Sequence, residues 1–468
     1  MKRDLAVDLC VIGAGAGGLS VAAGASQLGL KVVLFEAGEM GGDCLNTGCV
    51  PSKALIAAGK AAHAMRHASR FGIASVEPRI DWGGVKAHLR SVIDTIAPID
   101  SQERFEGLGV TVVREWARFA DPATVESDSV RVRAKRFVLA SGGQAFVPPI
   151  PGLSQTPYFT NETIFSAPEF PARLIVLGGG AIGVELGQAF ARLGAAVTIV
   201  EAETLLARFD SEAAGVVRAS LQADGVRLHE RAKAVAARPD GAGVAVTLDT
   251  GVVIEGSHLL VAAGRRARVE GMGLEAAGVE VSPRGVKTDP FLRTTNPRIY
   301  AAGDVAGREA LTHAAGWHAS ALVRTLLFRS ATRADSVAMP AAVYCDPEVA
   351  MIGASPDAPP EGAKVLRWTF EENDRAQAER ATEGFAKLVV GKGGRILGAS
   401  VAGEGAGDLV HMAAFAMANG IGVRGLTKAV APYPTRSEIL KRLGSAYYTP
   451  TLFSERTRHL VRLLWRLP

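Results

Sequence analysis

The sequence predicts an α/β architecture built around a duplicated dinucleotide-binding unit, and three observations carry that prediction. The stretch at residues 9–36, LCVIGAGAGGLSVAAGASQLGLKVVLFE, returns at 174–201 as LIVLGGGAIGVELGQAFARLGAAVTIVE. A constant offset of 165 superimposes Gly13 on Gly178, Gly15 on Gly180, Gly18 on Gly183, Gly29 on Gly194 and Glu36 on Glu201. The composition agrees: 48% apolar and 21% charged residues supply a large core and exclude bulk disorder, and 53 glycines imply many tight turns or close backbone approaches. At about 150 residues per domain, 468 residues make about three domains.

Each copy reads as an apolar strand, a glycine-rich turn, a helix and a second apolar strand ending in Glu. The first glycine makes the tight turn, the second lets backbone approach a pyrophosphate, and the third lets the helix pack on the strand. The helix N-terminus offers free N–H groups and a positive dipole end to the phosphates. The terminal Glu accepts hydrogen bonds from ribose hydroxyls. One such turn is weak evidence. Two in the same context predict two bound dinucleotides. Glu201 would repel a 2′-phosphate, and the next cation, Arg208, is seven residues on, so the second copy favours NADH over NADPH.

The richest motif follows the first copy: Gly41-Gly42-Asp43-Cys44-Leu45-Asn46-Thr47-Gly48-Cys49-Val50-Pro51-Ser52-Lys53. Two cysteines five apart on an ideal helix would be separated by about 7.5 Å of rise, on different faces. A disulfide needs Cα atoms within about 7 Å, so a Cys44–Cys49 bridge requires an irregular turn, for which Gly48 and Pro51 supply the means. A strained, accessible disulfide is easily reduced. A structural zinc site would need two further ligands, and neither Cys10, in the first strand, nor the distant Cys345 supplies one. No resident metal is expected.

On these motifs the chain resembles the class I flavoprotein disulfide reductases, which include dihydrolipoamide dehydrogenase, glutathione reductase and mercuric reductase. The resemblance runs to about residue 450. It implies two Rossmann-like domains, the first holding FAD and the second NAD(P)H, followed by a C-terminal α+β dimerisation domain. It further implies that Cys49 is the thiolate facing the flavin, that Cys44 is the exchange thiol, and that Lys53 lies near the flavin ring, ion-paired to Glu185. Ala140-Ser141-Gly142-Gly143 resembles the segment closing the first FAD lobe, and Ala117 matches a position packing on the adenosine. Ala263-Gly264-Arg265 resembles the return from the NAD domain. In the run IYAAGDV at 299–305, Asp304 would bond the ribityl chain, and in Leu311-Thr312-His313 the imidazole of His313 would lie near the isoalloxazine.

Departures from the family pattern bear on substrate. Dithiol-oxidising members end their last domain with His-Pro-Thr-x-x-Glu, whose His serves the partner subunit's exchange thiol. Here the run is Tyr433-Pro434-Thr435-Arg436-Ser437-Glu438. A phenol titrating near pH 10 is a poor proton acceptor, which weighs against efficient dihydrolipoamide oxidation. Mercuric reductases lack that His too, but they carry a C-terminal cysteine pair, and no cysteine follows Cys345 in this sequence.

The implied layout is an FAD domain at 1–150, an NAD domain at 151–268, an FAD-completing segment at 269–335, a dimerisation domain at 336–450 and a tail at 451–468. The long stretch 53–105 should form two helices. The apolar run AGDLVHMAAFAMANG, with its Met and Phe stripe, reads as a core helix near a dimer interface. A two-fold homodimer is expected, because the family site borrows the Tyr433 and Glu438 positions across the interface. The tail TLFSERTRHLVRLLWRLP places leucines at helical spacing among arginines. It fits a helix docked on its own protein, with contact at an anionic membrane surface as the alternative.

A formal charge of +5 with interspersed signs does not suggest a nucleic-acid binder, no apolar run reaches membrane-spanning length, and four cysteines make no secreted disulfide framework. A cytoplasmic protein is expected. The leading functional reading is an FAD-dependent enzyme passing electrons between NAD(H) and a disulfide, persulfide or thiophilic metal through Cys44 and Cys49. A membrane-surface NADH:quinone-type oxidoreductase, a genuine dihydrolipoyl dehydrogenase despite Tyr433, and a non-catalytic flavin-bearing partner stay open beside it.

Overall fold

A computed structural model describes residues 2–467. The chain forms two compact units, one holding the residues up to Ala202 with Val226–Val337, the other Glu203–Gly225 with the residues from Ala338 on.

The first unit begins with the predicted strand–turn–helix–strand: β1 (Arg3–Ile12), α1 (Ala16–Gln27) and β2 (Val32–Phe35). All four residues of β2 are buried, which explains its unbroken apolar sequence. After β2 come α2 (Gly42–Asn46), α3 (Cys49–Arg66) and α4 (Trp82–Asp100). The last two are the helices expected in the long stretch after the cysteines. The sheet is completed by β3 (Val110–Val113), β4 (Arg118–Asp121), β5 (Thr124–Glu126) and β6 (Val130–Leu139), in the order β3-β2-β1-β6-β5-β4. Its core, β3, β2, β1 and β6, is parallel. The late strand Ile299–Ala301 returns to pair in parallel with Phe137–Leu139 of β6. Residues far down the sequence therefore close the first lobe.

The second copy folds on the same plan. The strand Arg173–Leu177, helix Ala181–Arg192 and strand Ala196–Glu201 belong to a four-stranded parallel sheet with Arg227–Glu230 and His258–Val261. Where the chain leaves and re-enters the first lobe, Gly143–Ala145 and Arg265–Ala267 pair antiparallel.

The second unit is an antiparallel five-stranded sheet in the order 341–343, 349–353, 396–402, 385–390, 364–369, covered by helices. Phe370, Phe385, Leu388 and Leu443 are fully buried in it. Lys387 is buried too, 2.9 Å from both carboxylate oxygens of the wholly buried Asp210 and 2.8 Å from Glu212.

One expectation is corrected here. In the helix Ala406–Ala418 the core face is Leu409, Val410, Ala413 and Ala416, while Met412 and Phe415 are exposed at 42% and 59%. The stripe split because Met412 and Phe415 sit one position off the buried i, i+4 and i+7 set. The expected tail helix forms over Glu455–Leu464, and none of its residues is buried among the described residues of the protomer.

Candidate active site

Both glycine turns are shaped for a dinucleotide, and for the same atomic reasons. Gly13 and Gly178 have φ of +106° and +115°, a region that favours glycine. A Cβ at Gly13 would lie 2.3 Å from the Ala140 carbonyl oxygen, and one at Gly178 2.3 Å from that of Ala262. At Gly18 it would lie 1.8 Å from the Gly13 oxygen, and at Gly183 1.9 Å from the Gly178 oxygen. The middle glycines differ from these. Gly180 faces open space and Gly15 has only Gly42 Cα at 3.9 Å, which leaves room for a ligand to approach the backbone. The two glutamates are held alike: Glu36 Oε2 accepts from Ala14 N at 2.7 Å, and Glu201 Oε2 accepts from Gly179 N at 2.5 Å. These cradles fit the two dinucleotides that the sequence implies.

The cysteine motif folds as the spacing required. Helix α2 stops at Asn46, Thr47-Gly48 breaks the rise, and α3 starts at Cys49. A Cβ at Gly48 would come 2.8 Å from the Asp43 carbonyl oxygen, so the break is a close backbone approach open only to glycine. Both cysteines are free thiols, each partly exposed. Their environments pull them apart. The Cys44 thiol, donating to Cys49 and partly buried, is pushed up. Cys49 is pulled down to about 6, first by that hydrogen bond, then, against the cost of burial, by the Thr312 hydroxyl and the Lys53 ammonium. The Thr312 Oγ1 lies 3.3 Å from Cys49 Sγ.

Helix α3 carries this site and leans along the helix of the second copy. Lys53 Nζ donates to Glu185 Oε2 at 2.8 Å. A turn and a half further on, a Cβ at Gly59 would sit 3.2 Å from the Ala189 carbonyl oxygen. At the far end, Arg66 Nη1 donates to the Arg192 carbonyl at 2.5 Å. Three contacts in the same order along both helices thus bind the cysteine helix to the second dinucleotide fold.

A further ion network sits at the crossing strands. Arg265 pairs with Asp43 at 2.5 Å and with Asp304 at 3.4 Å, and also donates to the Gly143 carbonyl. Burial raises the Asp304 carboxyl pKa against the pull of Arg265. Ser141 Oγ donates to the Arg268 carbonyl, Gly142 and Gly264 both have positive φ, and Ala117 is buried. The sequence singled out His313 here, and the structure leaves it exposed beside Thr312 at the start of the helix Thr312–Leu327. It is Thr312 that touches the cysteine. Thr312 and Arg265 stand within motifs read from the sequence, but their contacts were not foreseen, because their partners Cys49 and Asp43 lie 263 and 222 positions away in the chain. The buried His318 has a structural part: its Nδ1 accepts from Gly303 N at 3.1 Å, pinning the turn that carries Asp304.

In the second unit, Tyr433 and Glu438 do not bond each other. The Tyr433 hydroxyl donates to Asp374 Oδ2 at 2.8 Å, and Glu438 pairs with Arg442 at 3.0 Å. Asp374 also raises the phenol's pKa, so Tyr433 stays protonated well past neutrality.

Comparison with known proteins agrees with this geometry. Residues 7–319 match the pyridine nucleotide-disulphide oxidoreductase family, and residues 339–443 match that family's dimerisation domain. The chain belongs to this family and is an FAD-dependent disulfide oxidoreductase that also binds a pyridine nucleotide. It is 36% identical over 466 residues to the mercuric reductase of Streptomyces lividans, spanning 96% of this chain and 97% of that one. It is 34% identical over 443 residues to the dihydrolipoyl dehydrogenase of Geobacillus stearothermophilus, 92% of this chain and 93% of that one. Among solved structures, the HOCl-induced flavoprotein disulfide reductase RclA of Escherichia coli superimposes with a TM-score of 0.85 at 25% identity, over 94% of this chain and 99% of that one. Among the described residues, no helix is long and apolar enough to cross a membrane.

Proposed function

We propose that this protein is an NADH-driven reductase of a thiophilic substrate, a soft metal ion or a low-pKa disulfide or persulfide, acting through Cys44 and Cys49. The observation that carries the reading is the polarised thiol pair, with Cys49 stabilised as thiolate by Thr312 and Lys53 and Cys44 held as its hydrogen-bond donor. FAD, held at Gly13, Gly15, Gly18, Glu36 and Asp304, supplies the two-electron chemistry between nicotinamide and sulfur. Gly178, Gly180, Gly183 and Glu201 hold the nicotinamide dinucleotide. Glu201 favours NADH, because a carboxylate at the end of the second strand would repel a 2′-phosphate.

The chain's own work is at sulfur. Two electrons entering the Cys44–Cys49 disulfide open it to a thiol and a thiolate. Cys44 attacks one sulfur of the substrate's S–S bond, and its proton goes to the departing sulfur, which leaves as the first thiol. Cys49, already a thiolate, then attacks Cys44 and reforms the disulfide as the second thiolate leaves. A soft metal ion is bound by the same two sulfurs.

Substrate choice follows from Tyr433. A protonated phenol donates but does not accept, so dihydrolipoamide would meet no strong base, while soft metals and good leaving groups need none. The protein works as a cytoplasmic homodimer in this reading, with the exposed Met412 and Phe415 in the interface.

The test is steady-state NADH oxidation by the FAD-loaded enzyme with mercuric ion, a small persulfide and lipoamide in parallel, with Cys44→Ser and Cys49→Ser controls. Fast turnover with a soft acceptor, lost in both variants, is expected. Turnover fastest with lipoamide, or surviving Cys44→Ser, would overturn the substrate assignment.

A further inference from the structure

The C-terminal segment is made of two faces that no other described residue of the protomer buries. The helix Glu455–Leu464 is capped by Ser454, whose Oγ accepts from Thr457 N, so it is a formed helix. Leu460, Leu463, Leu464 and Leu467 are 52%, 57%, 53% and 65% exposed. At 100° per residue Leu460, Leu463 and Leu464 share one face of the helix, and Leu467 follows three residues past its end. Arg458 and Arg462 lie at i and i+4 on the opposite flank, with Arg466 two residues past the helix. Trp465, 88% exposed, stands at the boundary between them. Within the helix Glu455 is the one acidic residue, set against Arg456, Arg458 and Arg462.

We propose that this C-terminal helix lies in the plane of an anionic lipid surface and docks the enzyme there. Ten residues give a helix about 15 Å long, half of a bilayer's hydrocarbon thickness, so it cannot span. It can sink its leucine face to the headgroup–acyl boundary while the arginines stay at the level of lipid phosphates. The choice of lipid over a protein groove rests on charge. The flank carries Arg458, Arg462 and Arg466 against a single acid, Glu455, at its N-terminal end, a net positive charge that a sheet of phosphates matches. Trp465, between the two faces, takes the interfacial depth an indole prefers. The inference is independent of the substrate assignment.

The test is flotation of the FAD-loaded full-length protein with vesicles of phosphatidylcholine alone and of phosphatidylcholine containing phosphatidylglycerol. Binding to the anionic vesicles only, weakening as salt rises, is expected. The double changes Leu463→Glu with Leu464→Glu, and Arg458→Glu with Arg462→Glu, should each cut binding at least about tenfold. Flavin absorbance and its bleaching by NADH should be unchanged in both, which separates lost docking from lost folding. Absence of flotation, or equal binding to neutral vesicles, would overturn the proposal. So would a fall in sedimenting mass of the Leu463→Glu, Leu464→Glu protein without lipid, because a second copy of the chain would then be what covers the leucines.

Discussion

Replacing Thr312 by Val should move the titration of Cys49 toward neutral pH. Val keeps the shape of Thr and removes one hydroxyl. The residue is the first of its helix, and the preceding Leu311 makes no side-chain cap, so the change deletes no capping bond. The hydroxyl lies 3.3 Å from Cys49 Sγ and stabilises the thiolate. A hydrogen bond to a charged group contributes about 1.5–3 kcal/mol, or about 1–2 pH units. Thr312 is exposed, so water takes over part of its role, and the lower end applies. The sign is set by the direction of the shift. Cys49 is pulled down to about 6, and losing a donor raises it. The variant should therefore titrate near pH 7, with a thiolate fraction at neutrality of about one half in place of about nine-tenths. The assay is the rate of iodoacetamide alkylation of the NADH-reduced enzyme as a function of pH, with the labelled cysteine located by tandem mass spectrometry. An unmoved midpoint, or alkylation at Cys44 before Cys49, would refute the thiolate assignment on which the proposed chemistry rests.

The other predictions concern separate parts of the molecule. Glu201→Arg should raise the ratio of kcat/KM for NADPH over NADH by about 10–100-fold, since a charge-assisted bond replaces a repulsion; steady-state kinetics with both nucleotides checks it. Gly183→Ala puts a methyl 1.9 Å from the Gly178 carbonyl oxygen and should abolish NADH-driven flavin bleaching while FAD stays bound in the other cradle. Lys387→Met leaves the buried Asp210 carboxylate without its cation, a loss of about 3–5 kcal/mol, seen as a lower Tm. Glu212 stays ionised below the usual carboxylate range because Arg367 and Lys387 together outweigh its burial. Its contribution is present above the unfolded value near pH 4.3 and is lost as pH falls through the lower folded value, so Lys387→Met should also flatten the acid limb of the stability curve. Tyr433→His should raise lipoamide turnover by at least about tenfold, restoring a group able to accept a proton at neutral pH.

What was legible in sequence was whatever local backbone geometry dictates. Gly13, Gly18, Gly178 and Gly183 announce themselves because no other residue fits beside a carbonyl at about 2 Å, and the Glu36 and Glu201 bonds follow from where the second strand must end. The break between Cys44 and Cys49 was readable from spacing alone, since a continuous helix could not bring the sulfurs together. The missed contacts join residues far apart in the chain. Thr312 and Cys49 are 263 positions apart, and Arg265 and Asp43 are 222. Single-sequence patterns do not register such pairs. The tail's partner was not legible for another reason: amphipathic periodicity says a helix has an apolar face and is silent about what covers it.

The duplication itself explains how one chain can hold two dinucleotides and keep their roles apart. The two cradles agree down to single hydrogen bonds: Gly13 N to the Phe35 carbonyl and Gly178 N to the Val200 carbonyl are both 2.8 Å. Nothing inside the cradles distinguishes donor from acceptor. The difference lies in what each copy adds. After its second strand the first copy turns through Gly42, whose Cβ would come 2.8 Å from Gly15 Cα, and so delivers Cys44 and Cys49 beside its own phosphate turn. The second copy adds no thiol. It contributes a helix whose Glu185 occupies the position equivalent to the solvent-facing Ser20 of the first copy. That substitution turns an outward position into the anchor for Lys53, and through it for the helix that begins at Cys49. The asymmetry between the two cradles thus comes from two small additions to one repeated fold: a glycine-tight thiol loop on one copy and a buried carboxylate on the other.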